Sequence, residues 1–400
     1  KSYTGDKTKF LGDGGLENPD GLKTIRLDNN DALGKKTCIA IELNVEIESF
    51  SNKKVSIILG AEENVDIATD VAYRYSNLQN CKTELQNVKN KWNELLGKVK
   101  VNTPYESLNI ILNGWTMYQT ISSRILGKTG FYQSGGAYGF RDQLQDAFST
   151  RYIDSQILYN QILKHSRHQF IEGDVEHWWH DENDRGIRTR FSDDLLWLPY
   201  AVIKYINFTG DYEILNKKTT YLQGEELNEN EKYNKYISSN IEESIYEHCK
   251  KAIKRACNFG ENGLPKIGIG DWNDGFSNIG TEGKGESVWL GFFLYIILKE
   301  FSKLIKQCKQ EEIETSNWYE NIAEKLKENL NENAWDGKWY KRAFADNGDI
   351  YGSMENEECK IDSIAQSWSV ISGAGDIEKK ESAMKSLENH LVDNENGLIK

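Results

Sequence analysis

Gly268-Ile269-Gly270-Asp271-Trp272-Asn273-Asp274-Gly275 and, a few residues on, Gly283-Lys284-Gly285-Glu286-Ser287-Val288-Trp289-Leu290-Gly291-Phe292-Phe293-Leu294-Tyr295-Ile296-Ile297-Leu298 set a polar, glycine-rich loop before a long apolar run. The run from Trp289 to Leu298 is about half the ~20 residues that a membrane-spanning helix needs, so it reads as a helix buried in a protein core. The same alternation recurs outward in both directions. Amphipathic stretches over 107–126, 151–170, 193–207, 240–258, 286–307, 316–330, 362–372 and 377–391 are separated by loops rich in Gly, Asp and Trp. There is no βαβ alternation and no short repeat. Roughly 300 residues of helices with long loops fit an α/α barrel of helical hairpins better than a compact bundle.

Upstream the rhythm changes. Thr37-Cys38-Ile39-Ala40-Ile41-Glu42-Leu43-Asn44-Val45-Glu46-Ile47 and Lys54-Val55-Ser56-Ile57-Ile58-Leu59 alternate apolar and polar residues at period two. Turn clusters at Gly12-Asp13-Gly14-Gly15 and Asn29-Asn30-Asp31 separate such runs. Residues 1–78 therefore read as the C-terminal part of a β-sandwich. Leu85, Val88, Trp92, Leu95 and Leu96 then recur at helical spacing up to Gly97, which marks a helical linker over 79–102. The expected fold is mainly α with β, and 103–400 form an incomplete α/α barrel. The chain starts at Lys1 and stops at Leu398-Ile399-Lys400, just past a glycine, and reads as a piece of a longer protein.

A net charge of −13 with no basic cluster repels a phosphate backbone, which excludes nucleic acid as the partner. The six cysteines are scattered with no C-x-x-C, which fits neither a disulfide framework nor a zinc site and points to a reducing compartment. Eleven Trp and twenty Tyr offer ring faces on which the C–H faces of sugars stack, although aromatics also fill ordinary cores.

Chemistry concentrates in the loops. In Gly135-Gly136-Ala137-Tyr138-Gly139-Phe140-Arg141-Asp142-Gln143-Leu144-Gln145-Asp146, Arg141 offers a fork of donors beside the acceptor Asp142. This is either a sugar or phosphate contact, or a loop-to-helix junction with Asp142 and Asp146 at the helix N-terminus. In Glu172-Gly173-Asp174-Val175-Glu176-His177-Trp178-Trp179-His180 the histidine spacing matches no zinc signature. Trp178 and Trp179 read as a stacking platform for a sugar. Arg188, Arg190, Asp193 and Asp194 follow in Arg188-Thr189-Arg190-Phe191-Ser192-Asp193-Asp194, where the two aspartates either border a site or cap a helix. In the 268–275 loop, Asp271 and Asp274 flank Trp272. A carboxylic acid beside an aromatic is partly desolvated and so kept protonated for acid catalysis. The alternative is a tight Asp/Asn/Gly turn. Asp362, Gln366 and Trp368 border a pocket or pack a helix.

Taken together, Gly139-Phe140-Arg141-Asp142-Gln143-x-Gln145-Asp146, Glu172-Gly173-Asp174-Val175-x-His177-Trp178-Trp179-His180, Arg188-Thr189-Arg190-x-Ser192-Asp193-Asp194-Leu195-Leu196-Trp197-Leu198-Pro199, Gly270-Asp271-Trp272-Asn273-Asp274-Gly275 and Gly285-Glu286-Ser287-Val288-Trp289-Leu290 resemble glycoside hydrolase family 94. Ser2-Tyr3-Thr4-Gly5-Asp6-x-x-x-Phe10-Leu11-Gly12 is similar to that family's N-terminal sandwich. The family contains cellobiose phosphorylase, N,N′-diacetylchitobiose phosphorylase and the phosphorylase-like domain of cyclic β-1,2-glucan synthase, and the segments here look closest to the last two.

The resemblance implies a β-sandwich, a helical linker and an (α/α)6 barrel truncated at its C-terminal end. It implies inverting phosphorolysis of a β-linked glucosyl or N-acetylglucosaminyl oligosaccharide to an α-sugar 1-phosphate. By motif, Asp274 matches the general acid and Trp272 the aromatic of the transferred sugar's subsite. Arg141 matches a phosphate-binding arginine, with Arg188 or Arg190 assisting, and Asp142 a sugar-hydroxyl acceptor. Asp271 supports the loop. Phosphate is the co-substrate, and no cofactor or metal is expected. Location is cytoplasmic, or on the cytoplasmic face of a membrane-bound synthase, and members are often homodimers. Further phosphate and sugar ligands of the family lie beyond residue 400, so the fragment alone is expected to be inactive. The alternatives are an inverting hydrolase with Asp142 or Asp146 as base, and a non-catalytic glucan-binding domain of a cyclic β-1,2-glucan synthase.

Overall fold

In the computed structural model, which describes residues 1–62, 64–129, 135–225 and 232–400, contacts group the chain into two units, Lys1–Lys91 and Trp92–Lys400. In the first, β1 (Ser2–Asp6) runs antiparallel to β2 (Thr37–Glu42) with Ser2 opposite Glu42. The short α1 (Lys7–Leu11) is capped by Asp6, whose carboxylate accepts from the amides of Thr8 and Lys9. The strand expected at 54–59 does not form, and Val55, Ile57 and Leu59 stay largely exposed. A strand needs a neighbour for its amides and carbonyls, and among the described residues none lies alongside. The two-stranded sheet is all that the described residues show of the expected sandwich. Next come α2 (Val65–Ser76) and α3 (Leu78–Leu96), the latter ending at Gly97 as its periodicity predicts.

The second unit opens with a helical run over 106–126, in which α4 (Glu106–Ile110) and α5 (Thr116–Gln119) alternate with wider π turns. Four helical hairpins follow among the described residues. They pair α6 (Phe140–Thr150) with α7 (Ser155–Ser166), α8 (Trp197–Thr209) with α9 (Ile245–Ala256), α10 (Val288–Cys308) with α11 (Ile313–Glu332), and α12 (Ser363–Ile371) with α13 (Ile377–Leu391). The leading helices touch in series, α6 on α8, α8 on α10 and α10 on α12. An aromatic seam runs through them, with Phe293 of α10 4.6 Å from Trp197 of α8 and 5.3 Å from Trp368 of α12. The apolar run from Trp289 to Leu298 is buried as expected, with Ile296 half-buried. The Ser287 side chain caps α10 by accepting from the Leu290 amide. Among the described residues no helix is long and apolar enough to cross a membrane.

Two segments read as loops are ordered elements. Residues 140–150 are already helix α6. The Trp-Trp segment lies in a four-stranded antiparallel sheet that runs β3 (Tyr138–Gly139), β4 (Glu176–His180), β5 (Arg185–Arg188) and β7 (Lys232–Lys235), with β6 (Lys218–Gln223) pairing separately with β8 (Ile237–Ser244). Aromatic residues on both faces of β4 hide the period-two signal. A small sheet of β9 (Glu286–Ser287), β10 (Ala343–Phe344) and β11 (Ile350–Tyr351) sets Ala343 opposite Ser287, and so carries Arg342 to the start of α10.

Candidate active site

The N-terminal ends of α6, α8 and α10 converge on one cluster of charges. Arg141, in the first turn of α6, is buried. Its Nη1 donates to Asp193 Oδ1 at 3.2 Å and to the backbone carbonyl of Asp271 at 2.9 Å, and its Nη2 donates to Asp274 Oδ1. Burial works against this charge, but Asp193, Asp194 and Asp274 together hold the guanidinium above its ordinary pKa. Asp193 is fully buried and also accepts from Trp197 Nε1 at 3.0 Å. Burial pushes its carboxyl up to about 7, with Arg141 pulling in the other direction. Beside it, His177 Nδ1 lies 2.7 Å from Asp194 Oδ2, and the imidazole stacks on Phe191 with centroids 4.4 Å apart. Burial opposes charge on His177, yet Asp194 raises its pKa above the usual value.

The loop from Gly268 to Gly275 is clamped from both sides. Gly268 bridges to Phe191, the Ile269 amide donates to Arg190 O at 3.3 Å, and the Ser192 amide donates to Gly270 O at 3.0 Å. Gly268 has φ +62°, and a Cβ there would lie 2.1 Å from Arg190 O, so only glycine permits this approach. Asp271, with no exposed surface, receives two parallel 2.7 Å bonds from the Arg342 fork, a 2.6 Å bond from Ser287 Oγ and a 3.0 Å bond from the Asn273 amide. Such a bidentate contact fixes orientation as well as distance. From this clamped base, Trp272 and Asp274 project outward, 47% exposed for the Trp272 residue and 59% for the Asp274 side chain. Trp272 Nε1 donates to Gln145 Oε1 at 3.3 Å.

A buried arginine, an exposed carboxylate in its grip and an exposed indole are thus mounted on the ends of packed helices. The family model of the glycosyl hydrolase 94 superfamily catalytic domain matches residues 91–400, and that of the glycosyl hydrolase 94 supersandwich domain matches residues 1–78. The chain belongs to the glycosyl hydrolase 94 superfamily. Cyclic beta-(1,2)-glucan synthase NdvB of Rhizobium meliloti (strain 1021) is 37% identical over 403 residues, which cover 100% of this chain and 14% of that protein. Solabiose phosphorylase of Paenibacillus borealis is 30% identical over 73% of this chain and 35% of its own length. N,N'-diacetylchitobiose phosphorylase of Vibrio proteolyticus is 26% identical over 98% of this chain and 50% of its own length. The chain therefore spans half or less of each of these relatives.

Within this glycosyl hydrolase 94 chain the predicted site residues separate into two groups. Arg141, Asp193, Asp194, Asp271, Trp272 and Asp274 come together as described. Asp142, on the exposed side of the first turn of α6, makes no hydrogen bond or ion pair among the described residues. Asp146, expected near the sugar, is paired with Arg124 Nε at 2.7 Å. Asp274 does not owe its setting to desolvation by Trp272, since its side chain is well exposed and its partner is Arg141.

Three further residues differ from expectation. Trp179 is fully buried between Tyr138 and His168, with stacked centroids 5.5 and 3.8 Å away. Alternation along β4 turns it inward and leaves Trp178 half-buried against Tyr233, so only Trp178 is placed to meet a ligand. Arg188 is buried over Phe170, its fork taken up by Asp174 at 2.7 and 2.8 Å and by Glu172 at 2.9 Å, so it supports the fold rather than phosphate. Gln366 is buried and bonded to the amide and carbonyl of Tyr340, both at 2.8 Å, which makes it a helix-to-loop clasp.

The polar residues of the Trp-Trp segment go to separate partners. Glu176 pairs with His168 Nδ1 at 2.6 Å and His177 with Asp194. Burial pushes the Glu176 carboxyl up to about 9 and the His168 imidazole down to about 3, a neutral acid against a neutral ring. Arg342 and Ser287 were not singled out from sequence. Ser287 lay inside a quoted motif, whereas Arg342 had no local signal and is recruited by the pairing of β10 with β9.

Proposed function

We propose that this chain carries the acid and phosphate-facing half of an inverting glycoside phosphorylase site, set in an α/α barrel built from its helical hairpins. The observation that carries this reading is the contact of Arg141 with Asp274 beside an exposed Trp272. Trp272 offers a face for the transferred sugar, and Asp142 offers an acceptor for one of its hydroxyls. Arg141 supplies the cation that holds phosphate beneath the anomeric carbon. An incoming phosphate competes with Asp274 for Nη2 of Arg141, which frees the Asp274 side chain to turn to the glycosidic oxygen.

Phosphate oxygen then bonds to the anomeric carbon as the bond to the glycosidic oxygen breaks. Asp274 gives its proton to that leaving oxygen, and the proton is restored from hydrogen phosphate over the cycle. Because phosphate arrives as an anion, no carboxylate base is needed to activate a nucleophile, unlike in an inverting hydrolase. Asp193 and Asp271, the buried carboxylates nearest this centre, are occupied in holding Arg141 and the acid loop.

The 37% identity with the glucan synthase relative, against 26% with the chitobiose phosphorylase, supports β-1,2-linked glucan as the substrate class, ahead of chitobiose. The test is the longer protein that contains this chain, given sophorose, β-1,2-glucans, cellobiose and chitobiose with and without phosphate. Phosphate-dependent release of an α-sugar 1-phosphate is expected, and free sugar released equally without phosphate overturns the reading in favour of hydrolysis.

A further inference from the structure

A second concavity of about 640 Å³ opens on the other elements that flank the Phe191 segment, and none of Arg141, Trp272 and Asp274 lines it. Its walls bring Lys254 and Arg255 from the end of α9 together with Lys266 from the following loop, and add Asn258 and Thr281. This is a local excess of positive charge in a chain of net charge −13. The one carboxylate among the described wall residues, Asp174, accepts two bonds from Arg188. Arg255 pairs with it at 3.7 Å and donates to the Glu172 carbonyl at 3.4 Å, whereas neither Lys254 nor Lys266 makes an ion pair among the described residues.

The C-terminal end of α9 carries roughly half a negative charge and is offset by a single cation in its last turn. That accounts for one of Lys254 and Arg255, and for nothing at Lys266, which arrives from a separate segment. Like charges converging on a concave wall, with Lys254 and Lys266 making no ion pair among the described residues, are held apart at a cost unless an anion joins them. The side chains of Asn258 and Thr281 make no hydrogen bond among the described residues, so the same wall presents polar groups to hydroxyls. The volume lies within the roughly 300–1,000 Å³ range of small-molecule sites.

We propose that this concavity is a binding site for a phosphorylated hexose, with the phosphoryl group among Lys254, Arg255 and Lys266 and the sugar hydroxyls toward Asn258 and Thr281. Phe191 belongs both to this wall and to the Arg141 cluster, where its ring lies 5.7 Å from the guanidinium carbon. The site stands independently of phosphorolysis at Asp274.

The experiment is calorimetric titration of the 400-residue chain with α-glucose 1-phosphate, inorganic phosphate and glucose in separate arms. It is repeated for Lys254→Ala/Lys266→Ala and for Trp272→Ala, which perturb the two places separately and alter side chains at or near the surface. Sugar phosphate is expected to bind in this concavity as well as at the Trp272 face, and the binding event weakened at least tenfold by the double lysine substitution moves less than threefold in Trp272→Ala. Three outcomes overturn the proposal. They are affinity unchanged in the lysine variant, affinity lost only in Trp272→Ala, and no binding in the millimolar range. Inorganic phosphate binding as tightly as the sugar phosphate overturns the hexose assignment.

Discussion

Replacing Arg342 by Met should be among the most damaging single changes in the second unit, although Arg342 is placed to touch no substrate. Asp271 has no exposed surface, and two of its four side-chain hydrogen bonds come from the Arg342 fork, both at 2.7 Å. Removing one partner of a buried ion pair costs about 3–5 kcal/mol, because the remaining charge is left in a poor solvent. Ser287 Oγ and the Asn273 amide still reach the carboxylate, so the lower end, about 3 kcal/mol, is expected. For a unit of this size that corresponds to a fall in Tm of roughly 6–12 °C. Arg342→Lys restores the charge without the two parallel bonds and recovers only part of the loss.

Asp271→Asn combined with Arg342→Met removes the stranded charge, so the double variant should be more stable than the sum of its single losses predicts, by about 1–3 kcal/mol. The assay is urea denaturation followed by far-ultraviolet circular dichroism, with calorimetry for Tm. If Arg342→Met stays within about 1 kcal/mol of the parent, or the two substitutions add without coupling, the clamp does not hold the Asp271 loop as described.

Asp274→Asn, tested in the longer protein, should lower turnover by about 10²–10⁴ while leaving stability within about 0.5 kcal/mol, and retention of most activity would remove Asp274 from the acid role. Glu176 has a folded pKa of about 9 against an ordinary 4.5, so its stabilising proton is fully held below pH 4.5 and lost as pH rises through 9. Above pH 7 His168 is neutral folded or unfolded, and stability should drop by on the order of 2 kcal/mol between pH 7 and 9 through Glu176. Denaturation at both pH values should show Glu176→Gln largely free of that drop, and an equal drop in the variant would refute the assignment. Trp179→Ala should cost about 3–5 kcal/mol and Trp178→Ala under about 1, with only the second weakening sugar binding in titrations. The reverse order would place the wrong indole in the core.

Much of this protein is local in origin. The 3.6-residue rhythm of Val288–Cys308 and the glycine stop after Leu96 each depend on neighbours in the chain, so α10 and α3 are legible in the sequence. The same holds for the Asp271-Trp272-Asn273-Asp274 loop, whose polar and aromatic residues among glycines announced a site. Other features were set by partners far along the chain. Which of Trp178 and Trp179 faces a ligand depends on the pleat of β4, whose period-two signal is masked by aromatics on both faces. Arg188 and Gln366 looked functional because arginine and glutamine are versatile. Only packing shows that Asp174, Glu172 and Tyr340 had already taken up their hydrogen-bonding groups.

Sequence by itself thus determined the helical second unit, the family and the short list of candidate residues, because periodicity, caps and motif spacing are read within a few residues. Tertiary structure alone decided that Arg141 grips Asp274 from 133 residues away, that Arg342 anchors the Asp271 loop across 71, and that Lys254, Arg255 and Lys266 share a wall near Phe191. Charge pairs of that kind are chosen by proximity in space and by burial, and neither leaves a mark at any fixed spacing in the chain.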